Sequence, residues 1–427
     1  MRRNAQQTGT PEAVLSGQVS VDLSAISDNV RALRALTPAP HFMAVVKGNG
    51  YGHGLIDVAR AALAAGADWL GTAQLTEALA LRQAGITAPV LSWLYLATAS
   101  SETIREAVSH DVDISLGSVT QLDIVAGIAR SLRRPAAVHL ELDSGLSRGG
   151  ARAEDWPGLV AAAREAELAG HLVVRGIWTH LAWADVPAHP GNAAAVDAFE
   201  AAVRQAREAG LDPQLRHVSS SANILDRPEF AFDMVRAGLA IYGLAPADHL
   251  DPADYGLRPA LSVTAPVVLV KKVPAGTGVS YEHQAITHEP RSLALIPLGY
   301  ADGIPKGISG RSVVQLGGRR VPVIGKVCMD QFMVDLGPEP GGVIVGDTAV
   351  LFGDPRSGAA SADEWGAAIG SHGDEIINRI APRLPPGLPP AAGTRVPGLR
   401  GARERCAGCR LRQGRGRFRQ PVLRRSG

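Results

Sequence analysis

The chain has 427 residues, 46% of them hydrophobic and 20% charged, which is the balance of a soluble globular protein long enough for two domains. Its net charge of +2 is unevenly spread, because residues 387–427 hold eleven arginines and one glutamate and the rest of the chain carries 2 − 10 = −8. Nucleic-acid binding is therefore not expected of the main body. No apolar run approaches the roughly 18 residues of a membrane-spanning helix, so no membrane partner is expected.

The N-terminal residues 1–17 contain two arginines and no apolar run, so we expect a flexible N-terminus rather than a secretory signal. Three cysteines are too few for a disulfide framework and favour the reducing cytoplasm. The next stretch, SGQVSVDLSAISDNVRALRALT, predicts a strand followed by a helix.

From residue 41 to about residue 245, short apolar runs alternate with Ala-, Leu- and charge-rich stretches of helical spacing. The runs are FMAVVK, WLGTA, PVLSWLY, VDISL, AAVHLELD, LVVRGIWTH, LRHVSS and MVRAGLAIYG. Strands that alternate with helices imply parallel pairing, and eight of them in about 200 residues fit a closed (β/α)₈ barrel. An open doubly wound sheet fits less well, because no G-x-G-x-x-G follows the first run.

Three further segments complete the predicted organisation. We assign residues 18–250 to the barrel domain, although residues 18–40 are able to pack with the domain that follows. Residues 251–386 predict a mostly antiparallel β domain, because pieces such as SLALIPLGYA lie between Gly- and Pro-rich turns. Residues 387–427 lack apolar periodicity and are expected to form a disordered basic tail.

Polar residues gather where the predicted barrel strands end, which is where such barrels carry their sites. The first strand is expected to end at Lys47, in AVVKGNGYGHG, and an amine that ends an apolar strand is partly desolvated and easily neutralised. Serine hydroxyls and a glycine follow strands seven and eight, the usual phosphate position. A lysine amine beside a phosphate cradle suggests pyridoxal 5′-phosphate (PLP) as cofactor. The residues at this rim are Lys47, Asn49, Tyr51, His53, Asp143, Arg148, His180, Asp185, Ser220, Ser221, Arg236 and Gly238.

Each rim residue alone has an ordinary structural explanation, such as a core histidine or a turn serine, so the site prediction depends on their convergence. Together with their neighbours, these residues resemble the alanine racemase family. The similar segments occur in the family's order from about residue 18 to about residue 385: AVVKGNGYGHG, LDSGLSRGG, GIWTHLAWAD, MVRAGLAIYGL, GVSYE, IPLGYADGIP and GKVCMDQFMVDL. The resemblance implies a (β/α)₈ barrel, a C-terminal β domain, PLP as cofactor, a small amino acid as substrate, no metal, and a homodimer with shared active sites.

The resemblance also implies residue roles. Lys47 would hold the cofactor as a Schiff base and exchange a proton on one face of the substrate Cα, and Tyr281 of the partner subunit would act on the other face. Arg236 would donate to the pyridine nitrogen, and His180 beside it would orient the tyrosine. The other implied residues are Tyr51, Ser221, Gly238 and Leu239 at the phosphate, Arg148 at the cofactor ring oxygen and the substrate carboxylate, Met329 at that carboxylate, and Asp185 and Tyr300 at the entrance.

Several positions depart from the family pattern. Gly48 and Gly50 stand where alanines are common and are expected to loosen the loop. Glu141 stands where many members have a lysine that becomes carbamylated, and we hypothesise that its charge orients Arg148. Pro382 stands where a tyrosine often reaches the phosphate, which removes one expected contact with the cofactor.

The leading interpretation is a PLP-dependent racemase that interconverts L- and D-alanine. A racemase for serine or another small amino acid is an alternative from the same class. A PLP-binding relative without turnover and a barrel-type decarboxylase are alternatives from other classes, and the GVSYE and VCMDQ segments disfavour the first of these two, as VSYEH and IPLGYADG disfavour the second.

Overall fold

The computed structural model of the protein describes residues 17–98 and 100–380. The predictions made for residues 1–16, for Pro382 and for the basic tail 387–427 lie outside the described residues. Within the described ranges, no helix combines the length and the hydropathy needed to cross a bilayer. The helical segments are α1 (Leu23–Leu36), α2 (Lys47–Tyr51), α3 (Leu55–Ala64), α4 (Leu75–Gln83), α5 (Ser101–Ser109), α6 (Val119–Leu132), α7 (Trp156–Leu168), α8 (Pro190–Glu208), α9 (Ser221–Asp226), α10 (Ala362–Ala368) and α11 (Gly373–Arg379). Of these, α2 is a left-handed turn rather than an α-helix.

Strand β1 (Gln18–Val21) precedes a barrel of eight parallel strands, which confirms the predicted fold class. Hydrogen-bonded neighbours run in the order β8-β7-β6-β5-β4-β3-β2-β9, so the sheet curls until the last strand pairs with the first. Helices occupy the crossovers between successive strands, as parallel pairing requires. The barrel strands are β2 (His41–Val45), β3 (Trp69–Gln74), β4 (Val90–Leu94), β5 (Val112–Leu116), β6 (Ala136–Glu141), β7 (Leu172–Trp178), β8 (Leu215–His217) and β9 (Met234–Ala237).

A second sheet of eight antiparallel strands follows the barrel, in the order β1-β10-β18-β15-β16-β17-β14-β11, as the predicted β domain requires. Strand β1 pairs with β10, so this N-terminal strand belongs to the second sheet. A small hairpin, β12-β13, stands apart from it. These strands are β10 (Leu261–Pro266), β11 (Leu269–Val273), β12 (Gly278–Val279), β13 (Ala285–Ile286), β14 (Arg291–Ile296), β15 (Val313–Leu316), β16 (Arg319–Ile324), β17 (Phe332–Gly337) and β18 (Thr348–Phe352).

The sequence pattern explains the two kinds of sheet. All five residues of β5 are buried, because a barrel strand is covered by helices on one side and by the barrel interior on the other. The six residues of β10 alternate between buried and half-buried, which is typical of an antiparallel sheet with one wet face. The C-terminal ends of the barrel strands therefore form the rim on which the predicted site residues can meet.

Candidate active site

Lys47 opens a left-handed turn at the barrel rim. Strand β2 ends two residues before it, so the expectation that the strand runs to Lys47 is corrected. The next residues have positive φ, namely 64° at Gly48, 54° at Asn49, 63° at Gly50 and 50° at Tyr51. Because this conformation costs roughly 1–2 kcal/mol for each residue with a Cβ, we interpret the two glycines as residues that permit the turn rather than loosen it.

The turn is held by Glu77, at the start of α4. One carboxylate oxygen accepts the backbone N–H groups of Gly48 at 2.7 Å and Asn49 at 3.3 Å. The other accepts those of Ala73 at 3.2 Å and Gln74 at 3.1 Å. Glu77 thus connects the end of β3 to the lysine turn. Glu77 was not among the residues predicted from the sequence, because Gln-x-x-Glu lacks the Ser or Thr N-cap of a capping box and Gly48 lies far away along the chain.

The Lys47 amine lies in a partly desolvated position. Burial lowers the pKa of the ammonium, and the positive charge of Arg148 lowers it further, while Asp374 and Glu77 act in the opposite direction. The ammonium nitrogen lies 5.8 Å from the centre of the Tyr51 ring. The neutral amine, which is the form that attacks a carbonyl or accepts a proton, is therefore more accessible than on a surface lysine.

Arg236, on β9, is the most constrained charged side chain of the site and is 6% exposed. Among the described residues, all its hydrogen bonds come from Nη1 and Nη2, and Nε has no partner there. The side chain lines a cavity. Nη1 donates to the carbonyl of His217 at 2.8 Å and lies 3.3 Å from Nδ1 of the same residue. Nη2 donates to the carbonyls of Thr179 at 2.9 Å and Val218 at 3.1 Å. Nη2 also lies 3.2 Å from Nδ1 of His180.

His180 is neutral in this environment. Burial, together with the charges of Arg236, Arg148 and Lys47, lowers its pKa to about 3. Because the guanidinium has only donors, the Nδ1 atom that faces Arg236 must be the unprotonated one. The ring hydrogen is therefore on Nε2, where it can be donated to another group.

Ser221 and Gly238 form a small group of hydrogen-bonding residues, which we call the cradle, beside the same cavity as Arg236. The Ser221 hydroxyl oxygen accepts the backbone N–H groups of Gly238 at 2.9 Å and Ala240 at 3.3 Å, so its own hydrogen is available to a further acceptor. A Cβ at Gly238 would lie 2.9 Å from the Tyr51 hydroxyl, a distance that needs glycine. Burial raises the pKa of Tyr51, which keeps its hydroxyl a donor. These donors fit an anion such as a phosphate.

Most of the predicted site residues of the barrel, though not Asn49, His53 or Asp143, meet in one cavity of about 420 Å³, a volume in the range of small-molecule sites. Trp178 and Asp374 also line the cavity, and neither was among the site residues predicted from the sequence. The predicted residues that line this cavity are Lys47, Tyr51, Arg148, His180, Asp185, Ser220, Ser221, Arg236, Gly238 and Leu239.

The predicted residues of the β domain lie elsewhere in the same chain. Tyr281 and Tyr300 line a second cavity, of about 330 Å³, and the lining residues of the two cavities do not overlap within the part of the chain that the structure describes. Tyr281 is 69% exposed, and Met329 is exposed as well. One chain therefore does not bring Tyr281 to the cavity of Lys47.

The turn that carries Tyr281 is strained and held from both sides. Ser280, Glu282 and His283 all have positive φ, at 63°, 60° and 47°. The Ser280 hydroxyl donates to the carbonyl of Lys326 at 2.7 Å, and the Lys326 ammonium lies 2.5 Å from the Glu282 carboxylate. Non-glycine residues in this conformation are costly and concentrate at functional sites.

Four rim residues, including the cavity-lining Ser220, have local structural roles. The Asn49 side chain accepts the N–H of Leu55 at 3.0 Å. Asp143 accepts two N–H groups within its own loop at 3.0 Å each. The Nδ1 atom of His53 lies 2.9 Å from the carbonyl of Tyr51, and the N–H of Ser220 donates to Asn223 at 3.3 Å. These residues shape the rim rather than provide its chemistry.

Glu141 lies below the Arg148 loop, and burial raises the pKa of its carboxyl to about 7 even though Arg236 and Arg148 oppose that change. Its one side-chain hydrogen bond within the described ranges comes from the Ser115 hydroxyl at 3.4 Å, and no ion pair joins it to Arg148 there. The hypothesis that its charge orients Arg148 stays a prediction.

The chain matches two protein-family models, which together extend over the barrel and the β domain. The model of the alanine racemase N-terminal domain matches residues 21–246, and the model of the alanine racemase C-terminal domain matches residues 260–387. This chain belongs to the alanine racemase family. Members of this family depend on PLP. The predicted family resemblance and the predicted fold class are both confirmed.

Curated relatives and solved structures extend over nearly the same residues. The chain is 48% identical to alanine racemase of Salinispora arenicola (strain CNS-205), over 85% of this chain and 95% of that protein. It is 45% identical to alanine racemase of Streptomyces coelicolor, over 88% and 96%. The crystal structure of alanine racemase from D-cycloserine-producing Streptomyces lavendulae superposes with a TM-score of 0.85 at 44% identity, over 88% of this chain and 97% of that one.

Proposed function

We propose that this chain is a PLP-dependent alanine racemase, which interconverts L- and D-alanine in active sites that two subunits share. The observation that carries the proposal is one cavity in which the desolvated amine of Lys47, the guanidinium of Arg236 and the cradle of Ser221 and Gly238 converge. Relatives that are 45–48% identical over most of their length are named alanine racemase, which supports alanine as the substrate.

The residues present fit the cofactor. When bound, PLP supplies an electron sink that makes a proton on the substrate Cα removable. Lys47 would hold it covalently through its amine, and the Nε–H of Arg236 would face the ring nitrogen. The Tyr51 and Ser221 hydroxyls and the backbone N–H of Leu239 would hold the phosphate. Glycine at position 238 leaves the room that this group needs, because a Cβ would displace the Tyr51 hydroxyl.

Proton transfer follows from the charges around two bases. The lowered pKa of Lys47 makes its neutral amine available to take a proton from Cα on one face. A base on the opposite face is needed for inversion, and Tyr281 of the partner subunit would supply it. The His180 Nε2–H, fixed by Arg236, would donate to that phenolic oxygen and so lower its pKa. The guanidinium of Arg148 would attract the substrate carboxylate.

A homodimer explains the separation of the two cavities within one chain. Tyr281, Tyr300 and Met329 are exposed on the β domain, and they include two large aromatic side chains that a single chain leaves open to water. We propose that this surface closes the Lys47 cavity of the partner subunit and that Asp185 lies at the shared entrance. Exposed patches of this kind are typical of interaction sites. The cytoplasmic location stays a prediction.

The test is to purify the protein, record its absorption near 420 nm, roughly where the Schiff base of this cofactor absorbs, and follow the optical rotation of L-alanine and L-serine. We expect a band that is lost in Lys47→Ala and racemisation of alanine in preference to serine. Racemisation of serine alone would support the alternative substrate. A band without any racemisation would support a PLP-binding relative and refute the proposed activity.

A further inference from the structure

A line of buried polar side chains crosses the inside of the barrel, from the active-site rim to the opposite end. Its members are Arg236 on β9, His217 on β8, His139 on β6 and Asp113 on β5. His217 Nδ1 lies 3.3 Å from Arg236 Nη1, and His217 Nε2 lies 2.9 Å from His139 Nδ1. His139 Nε2 in turn lies 3.2 Å from the Asp113 carboxylate. We call these four residues the barrel relay.

The relay is almost completely shielded from water. His139, His217 and Asp113 are 0% exposed. One end of the line opens to the active-site cavity at Arg236. At the other end, the half-exposed Arg175 donates to the Asp113 carboxylate at 3.0 Å and 3.3 Å. A buried carboxylate and two buried imidazoles are costly unless all their hydrogen bonds are made, so this arrangement is a specified feature of the interior.

Two neighbouring residues make room for the relay. Gly176, in the middle of β7, lies so close to His139 that a Cβ would be 2.5 Å from its Nδ1. The Trp178 ring stacks on His217 with an interplanar angle of 5° and a centroid distance of 5.8 Å. The backbone and the aromatic ring therefore leave each imidazole little freedom to turn.

The two ends of the relay determine where its hydrogens lie. Asp113 as a carboxylate only accepts, so His139 Nε2 carries a hydrogen. Arg236 only donates, so His217 Nδ1 carries none. The hydrogen between the two rings must then be on His217 Nε2, with His139 Nδ1 as its acceptor. A doubly protonated His139 would force a hydrogen onto His217 Nδ1, against the donors of Arg236. All three hydrogen bonds consequently run from Arg236 toward Asp113.

We propose that Asp113 and His139 are positioning residues of the racemase, which act through His217 to fix the guanidinium of Arg236 with its Nε–H directed into the cavity. This inference rests on the proposed function. Successive hydrogen bonds that point the same way polarise one another, so the carboxylate strengthens the acceptor that Arg236 meets. The fixed guanidinium also sets the tautomer of His180, and the relay therefore connects the far end of the barrel with both sides of the site.

The test compares two substitutions of His139, each studied in the purified protein with its cofactor bound. An amide presents one acceptor and one donor, as His139 does, so His139→Gln can preserve the direction of the relay, whereas His139→Leu breaks it. Histidine tautomers are read by solid-state NMR of protein labelled with ¹⁵N-histidine. Unfolding in urea is measured for both variants, so that a loss of stability can be separated from a loss of positioning.

We expect His217 to hold its hydrogen on Nε2 in the wild type and in both variants, because Arg236 still faces Nδ1. The His217 Nε2–H signal is expected to show a hydrogen bond in the wild type and in His139→Gln, and to lose it in His139→Leu. We expect kcat to fall about tenfold or more in His139→Leu, with KM for alanine within about twofold, and to recover most of that loss in His139→Gln. If His139→Leu fails to fold, Asp113→Leu serves instead, because it removes the acceptor of His139 Nε2–H; the hydrogen-bond signal of that N–H is then expected to disappear, with the same loss of kcat.

The inference is overturned if the hydrogen-bond signal of His217 Nε2–H is unchanged in His139→Leu, or if both His139 variants lose kcat equally. It is also overturned if the wild-type ring carries its hydrogen on Nδ1. An inactive wild type would refute the proposed function instead, and the tautomer measurement would still decide whether the relay exists.

Discussion

The guanidinium of Arg236 donates to Nδ1 of His180 across 3.2 Å, and this contact determines how both side chains act. The arginine cannot accept a hydrogen, so the histidine is held neutral with its hydrogen on Nε2. Burial and the nearby cations keep the pKa of His180 at about 3, far below the pH at which a cell works. The histidine is therefore a fixed donor rather than a proton carrier.

Replacing Arg236 by lysine keeps the charge and removes the fork of donors. An ammonium cannot reach the carbonyls of Thr179 and Val218 and also face the cavity, so we expect kcat to fall by about tenfold or more and stability to fall by roughly 2 kcal/mol. Urea unfolding and steady-state kinetics measure the two effects. The matched control is Arg216→Lys, because Arg216 pairs with Asp233 outside the cavity, and its kcat is expected to stay near wild type. Equal kcat losses in both variants would contradict the role of Arg236.

Removing the charge of Glu77 tests how the lysine turn is held. Glu77→Gln leaves one good acceptor for four N–H groups, so we expect about 1–2 kcal/mol lower stability and weaker retention of the cofactor on dialysis. Gln83→Ala, an exposed change on the same helix α4, is the control and is expected to retain both properties. Unchanged cofactor retention in Glu77→Gln would show that the turn does not need this carboxylate.

A methyl group at Gly238 tests the proposed phosphate cradle. Gly238→Ala brings a Cβ to 2.9 Å from the Tyr51 hydroxyl, so we expect the affinity for PLP to fall by about tenfold while the fold is retained. Gly127→Ala is the matched control, because a Cβ there has open space and lies on α6, where alanine favours the helix. Titration of the apoenzyme with PLP measures both. Full affinity in Gly238→Ala would place the phosphate elsewhere.

Glu141 predicts a specific pH dependence. With its pKa raised to about 7 by burial, the folded protein keeps this carboxyl protonated at pH values where the unfolded chain has already ionised it. The group therefore lowers stability progressively as the pH rises from about 4.5 to 7, and its negative charge is present only above that range. If this charge orients Arg148, Glu141→Gln raises KM for alanine at pH 8, and the difference from wild type narrows below pH 6. Unchanged kinetics at pH 8 would refute the hypothesis.

The barrel and most of its rim could be predicted because the information is local. Lys47 and His180 each follow an apolar run, Arg236 stands near the end of one, and parallel strands bring such positions to one edge. Glu77 and the barrel relay could not be predicted, because their contacts join distant positions: 29 residues separate Glu77 from Gly48, and 78 separate His139 from His217. Periodicity shows which face is buried, but it does not show which polar side chains meet inside.

The lysine turn shows a second limit. The glycines of AVVKGNGYGHG suggested a loose loop, whereas the backbone there is a left-handed turn clamped by a carboxylate from another helix. The amino-acid sequence alone does not distinguish a glycine that permits motion from a glycine that permits a positive φ. Family resemblance supplied Tyr281 but not its setting, because the contacts that we propose for it lie on a second chain.

The central claim is that Lys47 of one subunit works with Tyr281 of the partner subunit. Chains carrying Lys47→Ala and chains carrying Tyr281→Phe, each with its own tag, are co-expressed, and the hybrid dimer is isolated through both tags. Each variant alone is expected to be nearly inactive. The hybrid contains one intact site and one site with both changes, so the account predicts about half of the wild-type alanine racemisation per dimer. A hybrid as inactive as the two parent variants would show that both residues act within one chain and would contradict the account.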